Sequence, residues 1–502
     1  MSIRITGSAS GLDTDSMVQE LVHAYEKKGQ SYTKKKTKNE WKQEAWNDLN
    51  KKIKSFYSKY AGNMRFSQNY NKKITTVSDS TKASVVSSDG AVNGTQTLKV
   101  KSLAMSGYLT GANLGKGITS STTLKDLGYE GGATTITINQ GQSDETHEFT
   151  GTKSFDIDST TTVGEFVKFL SSAGYNANFD AGNSRVFMSS KESGADNDFS
   201  FAAEAGSDAY KALSAIGLVG GDSVKQVAAD ASIELNGANF TSSTNTFSIN
   251  GLTITAKEVT GDATVNLVTD TDNQAVYDSI KGFLKEYNSL INEFDKLYNA
   301  GSSKGYEPLT DEEKEAMTDK EIEKWESKIK DSLLRFDDDL DKISSAMRNA
   351  MLKTYDIGGK TMSLSSFGIN TLGYFEAPDN EKNAFHIDGD SDDDSTSGNI
   401  DKLMTALAAD PNGTAEFFQK LAGGLYDAMN NIQGSSDNYT SFGSFFSDKK
   451  LKSEYTDLNS QVEKWEDYVA DIEEKYYKQF AAMESALSSL QSQQSYLSNL
   501  FG

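Results

Sequence analysis

The stretch LKSEYTDLNSQVEKWEDYVADIEEKY at residues 451–476 places its apolar residues at alternating spacings of four and three. Residues spaced in this way line one face of an α-helix, and that face must be buried against another helix. A second stripe, at residues 46–60, has the spacing 3-4-3-4. We therefore expect the two ends of the chain to pair in a coiled coil that also carries oligomerisation. The residues assigned to this role are Trp46, Leu49, Ile53, Phe56 and Tyr60 in the first stripe and Leu458, Val462, Trp465, Val469, Ile472 and Tyr476 in the second.

The two ends of the chain also differ in charge. Residues 1–75 contain 15 Lys and Arg against 7 Asp and Glu, a balance of +8, and residues 446–502 contain 6 against 10, a balance of −4. This difference favours pairing of the two ends. The net charge of the whole chain is −22, which argues against nucleic acid and anionic membranes as partners. The lysine run at 34–36 is interpreted as a solvated helix face, with a binding patch as the alternative.

Composition excludes several classes of protein. The chain contains no cysteine, so disulfide scaffolds, zinc fingers, iron–sulfur sites and thiol nucleophiles are ruled out. Three prolines in 502 residues suit long uninterrupted helices and strands. No apolar run approaches the length of a membrane span, and the first thirty residues lack an apolar signal core. Secretion by an ordinary signal peptide is therefore not expected.

The middle of the chain is typical of β structure. Asn236-Gly237 and Asn250-Gly251 stand between alternating apolar residues, which predicts two hairpins with type I′ turns at 232–240 and 246–255. Short helices are expected at 163–173 and 207–216, and helical spacing returns after residue 270. Glycine and serine are abundant at 434–447, which predicts a hinge before the last helix.

Together these patterns predict an α+β multidomain protein. The N- and C-termini form a helical coiled coil, followed by a mixed helical and β middle domain with inserted β-rich outer domains. The predicted divisions are 1–67 with 448–502 for the terminal legs, 68–104 with 271–447 for the middle domain, and 105–270 for the outer domains, of which we expect two.

No arrangement typical of catalysis or of cofactor binding is present in the sequence. The three histidines, His23, His147 and His386, lack metal-ligand spacing and have no adjacent nucleophile motif. The acidic run at 388–394 resembles a calcium loop, but Asp393 stands where an EF-hand needs glycine and Asn399 where it needs glutamate. A solvated loop is the preferred interpretation, and calcium binding stays open. We expect a protein without enzymatic activity and without a cofactor.

The end of the last helix is unusually apolar. It is either a frayed amphipathic tail or a surface for docking a second protein. The residues assigned to docking are Leu487, Leu490, Leu497, Leu500 and Phe501.

Several segments resemble one family, the bacterial flagellar filament cap proteins, also called hook-associated protein 2. The run Ser10-Gly11-Leu12-Asp13-Thr14-Asp15-Ser16 resembles the N-terminal signature of that family, and its continuation through Trp41, Trp46 and Asn50 resembles the first helix. Pro308 to Glu326, Leu403 to Pro411 and Ser495 to Leu497 are similar to its C-terminal blocks. The resemblance covers about the first hundred residues and roughly 228–502, whereas 105–227 is similar only to variable outer domains of flagellar axial proteins.

The resemblance implies a homo-oligomeric ring at the extracellular tip of the flagellum, beneath which exported flagellin folds and inserts. It implies export through the flagellar type III channel, with the export signal at Met1–Ser10. It further implies contacts with flagellin, with a hook-associated junction protein and with an export chaperone at the C-terminal helix, and none with nucleic acid or membrane.

Other functions remain open from the residues alone. A hook–filament junction protein or a flagellin also has helical ends and a β-rich middle, but would lack the Trp41/Trp46 helix and the 308–325 block. A secreted adhesin would bind glycans through exposed aromatic residues of the outer domains. The candidates for this are Tyr108, Tyr129, Tyr175 and Tyr210, although core packing is the preferred interpretation for each. A hydrolase is disfavoured because no catalytic constellation is present.

Overall fold

Long helices lie at both ends of the chain and in the region after residue 270. The computed structural model describes residues 9–141, 151–433 and 438–501, without the side chain of Phe501. The helices are α1 (Thr14–Ser55), α2 (Gly62–Met64), α3 (Val163–Ser172), α4 (Asp208–Ala215), α5 (Asn273–Tyr298), α6 (Asp311–Glu315), α7 (Asp319–Lys330), α8 (Asp338–Met351), α9 (Lys402–Ala409), α10 (Pro411–Gln433) and α11 (Asp448–Phe501).

The strands are short and concentrate between residues 73 and 271. They are β1 (Lys73–Val77), β2 (Ala83–Ser87), β3 (Gly94–Ser102), β4 (Tyr108–Thr110), β5 (Thr134–Gln140), β6 (Gly151–Ile157), β7 (Asn176–Asp180), β8 (Arg185–Ser189), β9 (Phe199–Phe201), β10 (Val224–Gln226), β11 (Ala231–Leu235), β12 (Ala238–Ser242), β13 (Thr246–Ile249), β14 (Leu252–Ala256), β15 (Val265–Thr271), β16 (Tyr355–Ile357), β17 (Lys360–Met362), β18 (Ile369–Thr371) and β19 (Phe385–Ile387).

The chain divides into two compact units. One spans Met1–Tyr70 and Asn273–Gly502, and the other spans Asn71–Asp272. In the first unit α5, α8 and α10 supply most of a single apolar core, to which the C-terminal part of α1 also contributes. The small hairpins β16–β17 and β18–β19 add buried residues to the same core. The remainder of α1 pairs with α11.

The second unit contains two apolar cores. Strands in the order β1-β15-β3-β11-β12 form one sheet, and β13-β14-β2 form another, and their inward side chains share one core. The sheets β10-β4-β8-β7 and β6-β5-β9 pack with α3 and α4 around a second core. Both helices begin with hydroxyl caps, because Thr162 and Ser207 accept hydrogen bonds from the third backbone amide of each helix.

The strands at 73–102 pair with β11, β14 and β15, all within the second unit. The sequence-based division grouped 68–104 with 271–447, so this part of the expected grouping differs from the structure. The physical reason is that residue alternation identifies a strand and its buried face but does not identify its partner strand.

The two predicted hairpins are confirmed in position and register. Ile233 lies opposite Phe240 across the first turn, and Phe247 lies opposite Ile254 across the second. Asn236 and Asn250 have φ values of 50° and 47°, the left-handed region that a type I′ turn requires and that asparagine tolerates.

Candidate functional site

The N-terminal part of α1 and the helix α11 form an antiparallel pair. The ring of Tyr25 lies 6.1 Å from that of Tyr468, and Asn39 Nδ2 donates to the Glu454 carboxylate at 3.4 Å. As the residue number rises along α1 it falls along α11, so the numbers of two facing residues add up to about 493. We call this pair the leg. Its α1 face carries buried Val18, Val22, Gly29 and Asn39, at intervals compatible with one helical stripe.

A glycine at the centre of the leg faces a tryptophan. A Cβ atom added at Gly29 would lie 2.6 Å from the indole nitrogen of Trp465 and still closer to its Cδ1. The indole Nε1 donates to the Tyr25 carbonyl oxygen at 3.0 Å. Only glycine leaves room for the indole at this position. Helix α1 runs through Gly29 without interruption.

A buried glutamate holds the start of the described chain against α11. The backbone amides of Ala9 and Ser10 donate to Glu484 Oε2 at 2.8 and 3.1 Å, and the Ser10 hydroxyl donates to Glu484 Oε1. Gln491 Nε2 donates to the Ala9 carbonyl at 2.8 Å. The Ser10 hydroxyl, aided by the Ala9 amide, lowers the pKa of the Glu484 carboxyl. We call this arrangement the Glu484 clamp; residues 1–8 of the expected export signal lie outside the described residues.

Helix α1 begins directly after the clamp. The Asp13 carboxylate accepts from the Ser16 amide at 3.1 Å and from its hydroxyl at 2.6 Å, and these bonds lower the pKa of the Asp13 carboxyl. The helix therefore starts at Thr14 with Asp13 as its cap.

The N-terminal apolar stripe packs into the helical core of the first unit. Trp46, Leu49, Ile53 and Phe56 are buried in that core, and Tyr60 packs against it half-buried. Phe56 stacks on Phe283 of α5 at 5.9 Å. The expected pairing of this stripe with residues 458–476 is therefore wrong. The antiparallel register brings Trp46 level with the start of α11, so the rest of the stripe, from Leu49 to Tyr60, lies beyond the N-terminal end of that helix.

Trp46 instead stacks on Phe446, with ring centroids 5.0 Å apart and an interplanar angle of 2°. Phe445 and Phe446 are buried, and the Phe445 amide donates to Asn50 Oδ1 at 3.2 Å. The predicted hinge at 434–447 is thus anchored at its C-terminal end; residues 434–437 lie outside the described part of the chain.

The C-terminal stripe lies on the leg but is not fully covered. Leu458, Val462, Trp465, Val469, Ile472 and Tyr476 are all half-buried, as is Leu487. Further along, Leu490, Leu497 and Leu500 are 59%, 52% and 59% exposed, because α1 ends its pairing near the clamp. The side chain of Phe501 lies outside the described residues. The leg therefore presents apolar surface that one chain does not bury.

The acidic loop is held by internal contacts. Lys281 Nζ lies 2.5 Å from Asp390 and 2.8 Å from Asp392, and His386 Nδ1 lies 2.6 Å from Asp393. The Lys281 contact lowers the pKa of the Asp392 carboxyl. Within the described residues, no group of three or more His, Cys, Asp or Glu is arranged to hold a metal ion. His23 lies beside Glu26 on the leg, and His147 falls outside the described ranges.

The four tyrosines considered for glycan binding differ in exposure. Tyr129 and Tyr175 are buried in a core of the second unit, and burial raises the pKa of both phenols. Tyr210 is half-buried, whereas Tyr108 is 43% exposed beside Phe187. None of the described helices is both long enough and apolar enough to cross a bilayer.

Comparison with known proteins gives consistent matches. Residues 228–492 match the family model described as flagellar hook-associated protein 2 C-terminus, and residues 10–106 match its N-terminus counterpart. The chain is 25% identical over 568 aligned positions to flagellar hook-associated protein 2 of Halalkalibacterium halodurans, covering 99% of this chain and 100% of that protein. It is 26% identical to the Thermotoga maritima protein of the same name, covering 68% of this chain and 52% of that one.

Among solved structures, the D1-D2-D3 domains of the flagellar cap protein FliD from Escherichia coli share the fold. The TM-score is 0.50 at 18% identity, covering 83% of this chain and 99% of that one. Since the C-terminal family model alone spans more than half of the sequence, the chain belongs to the flagellar hook-associated protein 2 family.

Proposed function

We propose that this protein caps the flagellar filament: a homo-oligomeric ring at the extracellular tip, under which exported flagellin folds and is inserted. It acts as a scaffold and makes or breaks no covalent bond. The observation that carries the proposal is the leg, whose α11 stripe stays half-exposed in a single chain. Membership of the flagellar hook-associated protein 2 family supports a flagellar assembly as the setting for such a surface.

The leg combines a firmly packed base with a weakly packed shaft. At the base, Trp46 and Phe446 stack in the core. Along the shaft, Gly29 and Asn39 interrupt the buried apolar face of α1, and the apolar stripe of α11 is only half-buried. Helices whose apolar contacts stay partly exposed open at a lower free-energy cost than a buried core. A leg of this kind can release and dock again while its base stays folded, as a cap that advances with the growing filament requires.

The exposed end of α11 is the proposed site for the export chaperone before assembly and for flagellin or the junction protein afterwards. Leu490, Leu497 and Leu500 follow helical spacing and are each more than half exposed. Such a stripe is the usual anchor set of a helix that binds in an apolar groove. Export through the flagellar type III system would bring the protein to the filament tip.

Deletion of the gene, with complementation by variants, tests the proposal. We expect deletion to leave unpolymerised flagellin in the medium and short or absent filaments, and the wild-type gene to reverse both. Val469→Asp/Ile472→Asp should fail to complement, because two carboxylates would enter the apolar stripe.

Ala470→Asp is the matched control, since it adds a carboxylate to the same helix at an exposed position. Normal filaments in the deletion strain would refute capping. Full complementation by the double variant would refute only the role assigned to the leg and would leave capping untouched.

A further inference from the structure

Two blocks of charge stand out on the leg. Residues 27–38 contain six lysines and no Asp or Glu, and we call them the basic block. Residues 466–474 contain five Asp and Glu and no Lys or Arg, and we call them the acidic block. These are opposite charges on two paired helices, so they would be expected to neutralise each other within the chain.

The register of the leg prevents this neutralisation. Because Gly29 faces Trp465 and Tyr25 faces Tyr468, the acidic block lies opposite residues 19–27 of α1, where Glu20 and Glu26 add further negative charge. The centres of the two blocks are displaced by nine to ten residues, which is about 14 Å along a helix at about 1.5 Å per residue.

Among the described residues, only one lysine of the basic block has a carboxylate partner. Lys34 pairs with Glu313 at 2.7 Å, whereas Lys35 lies over the Tyr32 ring. Among the described residues, Lys27, Lys28 and Lys38 form no ion pair. The same holds for Asp467 and Asp471 within the described part of α11.

The two blocks face in opposite directions. Lys27, Lys34 and Lys38 are spaced seven and four apart on the side of α1 turned away from α11. Asp467, Asp471 and Glu474 are spaced four and three apart on the side of α11 turned away from α1, and all three are exposed. A surface that is positive on one side and negative on the other favours head-to-tail contact between identical subunits, which closes into a ring.

A groove continues the positive surface beside α1. The loop between α5 and α6 forms with α1 a cavity of about 800 Å³, lined among others by Lys35, Lys38, Lys304 and Arg335. The Arg335 Nε donates to the Ala300 carbonyl at 2.8 Å, which fixes the guanidinium at the rim. The groove therefore offers a positively charged surface on which an acidic helix can bind. Such a surface is notable in a protein whose net charge is −22.

We propose that the acidic block of one subunit docks on the basic block and the adjoining groove of its neighbour in the ring. This rests on the ring in the proposed function and assigns the contact that holds adjacent legs. The displacement of about 14 Å means that neighbouring legs touch with an axial offset, as inclined rods in a closed barrel do.

Charge exchange tests the contact with the full-length protein. By light scattering, wild-type assemblies should weaken as salt rises from about 0.01 to 1 M, because the screening length falls from about 30 to 3 Å. Lys35→Glu/Lys38→Glu and Asp467→Lys/Asp471→Lys should each weaken association by about tenfold or more, and a mixture of the two variants should restore it. If the wild type assembles at every salt concentration and both variants assemble equally well, the proposed contact is refuted but the ring is not. A monomeric wild type overturns both.

Disulfide cross-linking tests the geometry, since the natural chain has no cysteine. Oxidised Lys35→Cys/Asp467→Cys should give a ladder of species beyond the dimer, because each subunit offers one cysteine to each neighbour. The single variants should give dimers at most. An axial offset of this size keeps the two cysteines of one chain beyond disulfide reach. A double variant that stops at dimers indicates two-fold pairing, and one that does not cross-link indicates no contact; either result overturns the proposal.

Discussion

Substitution of Gly29 by alanine should destabilise the leg, although the same change stabilises most helices. Alanine is favoured over glycine in a helix interior by about 1 kcal/mol. At residue 29 the new methyl group would lie 2.6 Å from the Trp465 indole nitrogen, so the indole must leave its position. Its hydrogen bond to the Tyr25 carbonyl, 3.0 Å long, would be lost with it.

The balance of these effects gives the expected magnitude. Overpacking costs about 1–3 kcal/mol and loss of the hydrogen bond about 0.5–1.5 kcal/mol, against the gain of about 1 kcal/mol in helix propensity. The net loss is about 0.5–3.5 kcal/mol. Gly282 in α5 is the matched control, because no atom lies within 4 Å of a Cβ built there. Gly282→Ala should stabilise α5 by up to about 1 kcal/mol.

Amide hydrogen exchange measures both effects locally. Protection of α1 around residue 29 should fall by between about twofold and 300-fold in Gly29→Ala, since 1.4 kcal/mol is tenfold in an equilibrium. Protection of α5 should rise in Gly282→Ala. Adding Trp465→Leu to Gly29→Ala should cost less than the sum of the two single changes, because the smaller side chain tolerates the methyl group. Raised protection in Gly29→Ala would refute the packing of Trp465 against this glycine.

Three further outcomes follow from the same structure. Phe446→Ala should lower the free energy of unfolding of the first unit by about 3–5 kcal/mol in a urea titration, whereas Phe442→Ala, at a side chain 80% exposed, should change it by about 0.5 kcal/mol or less. The pKa of Glu484 is lowered in the folded state, so the clamp stabilises above the ordinary glutamate pKa and is lost as pH falls through the folded value. A fluorophore at the exposed Leu12 should therefore become mobile in acid, and Glu484→Gln should remove that pH dependence. Asn236→Ala should destabilise the second unit by about 1–2 kcal/mol, since its φ of 50° is costly for alanine, and an unchanged urea midpoint would contradict the type I′ turn.

The sequence predicted those features that depend on neighbouring residues. The hairpins at Asn236 and Asn250 follow from the turn chemistry of two residues, and their registers follow directly. The pattern Thr-x-x-Glu at Thr310–Glu313 and at Thr318–Glu321 is typical of a capping box, and it stands at the starts of α6 and α7 in the structure.

Features that depend on residues distant in the sequence could not be predicted from local patterns. The stripe from Trp46 to Tyr60 has the same spacing as a coiled-coil seam, but its partners are in the helical core. A heptad pattern identifies a buried face and leaves the covering element unspecified. Glu484 carries no local signal. Gly29 carries one, because it continues the helical spacing of Val22 and Tyr25.

The distribution of contacts along the leg indicates where it can open. At one end Trp46 and Phe446 join the leg to a large apolar core, and at the other the Glu484 clamp is built from hydrogen bonds to a short segment. Between them, the like charges of the basic block would repel one another until the proposed neighbour supplies negative charge. Under the proposed contact, a lone leg would be weakest where an assembled one gains its subunit contacts. Assembly would then stabilise the same helices whose opening, under the proposed function, allows the cap to advance.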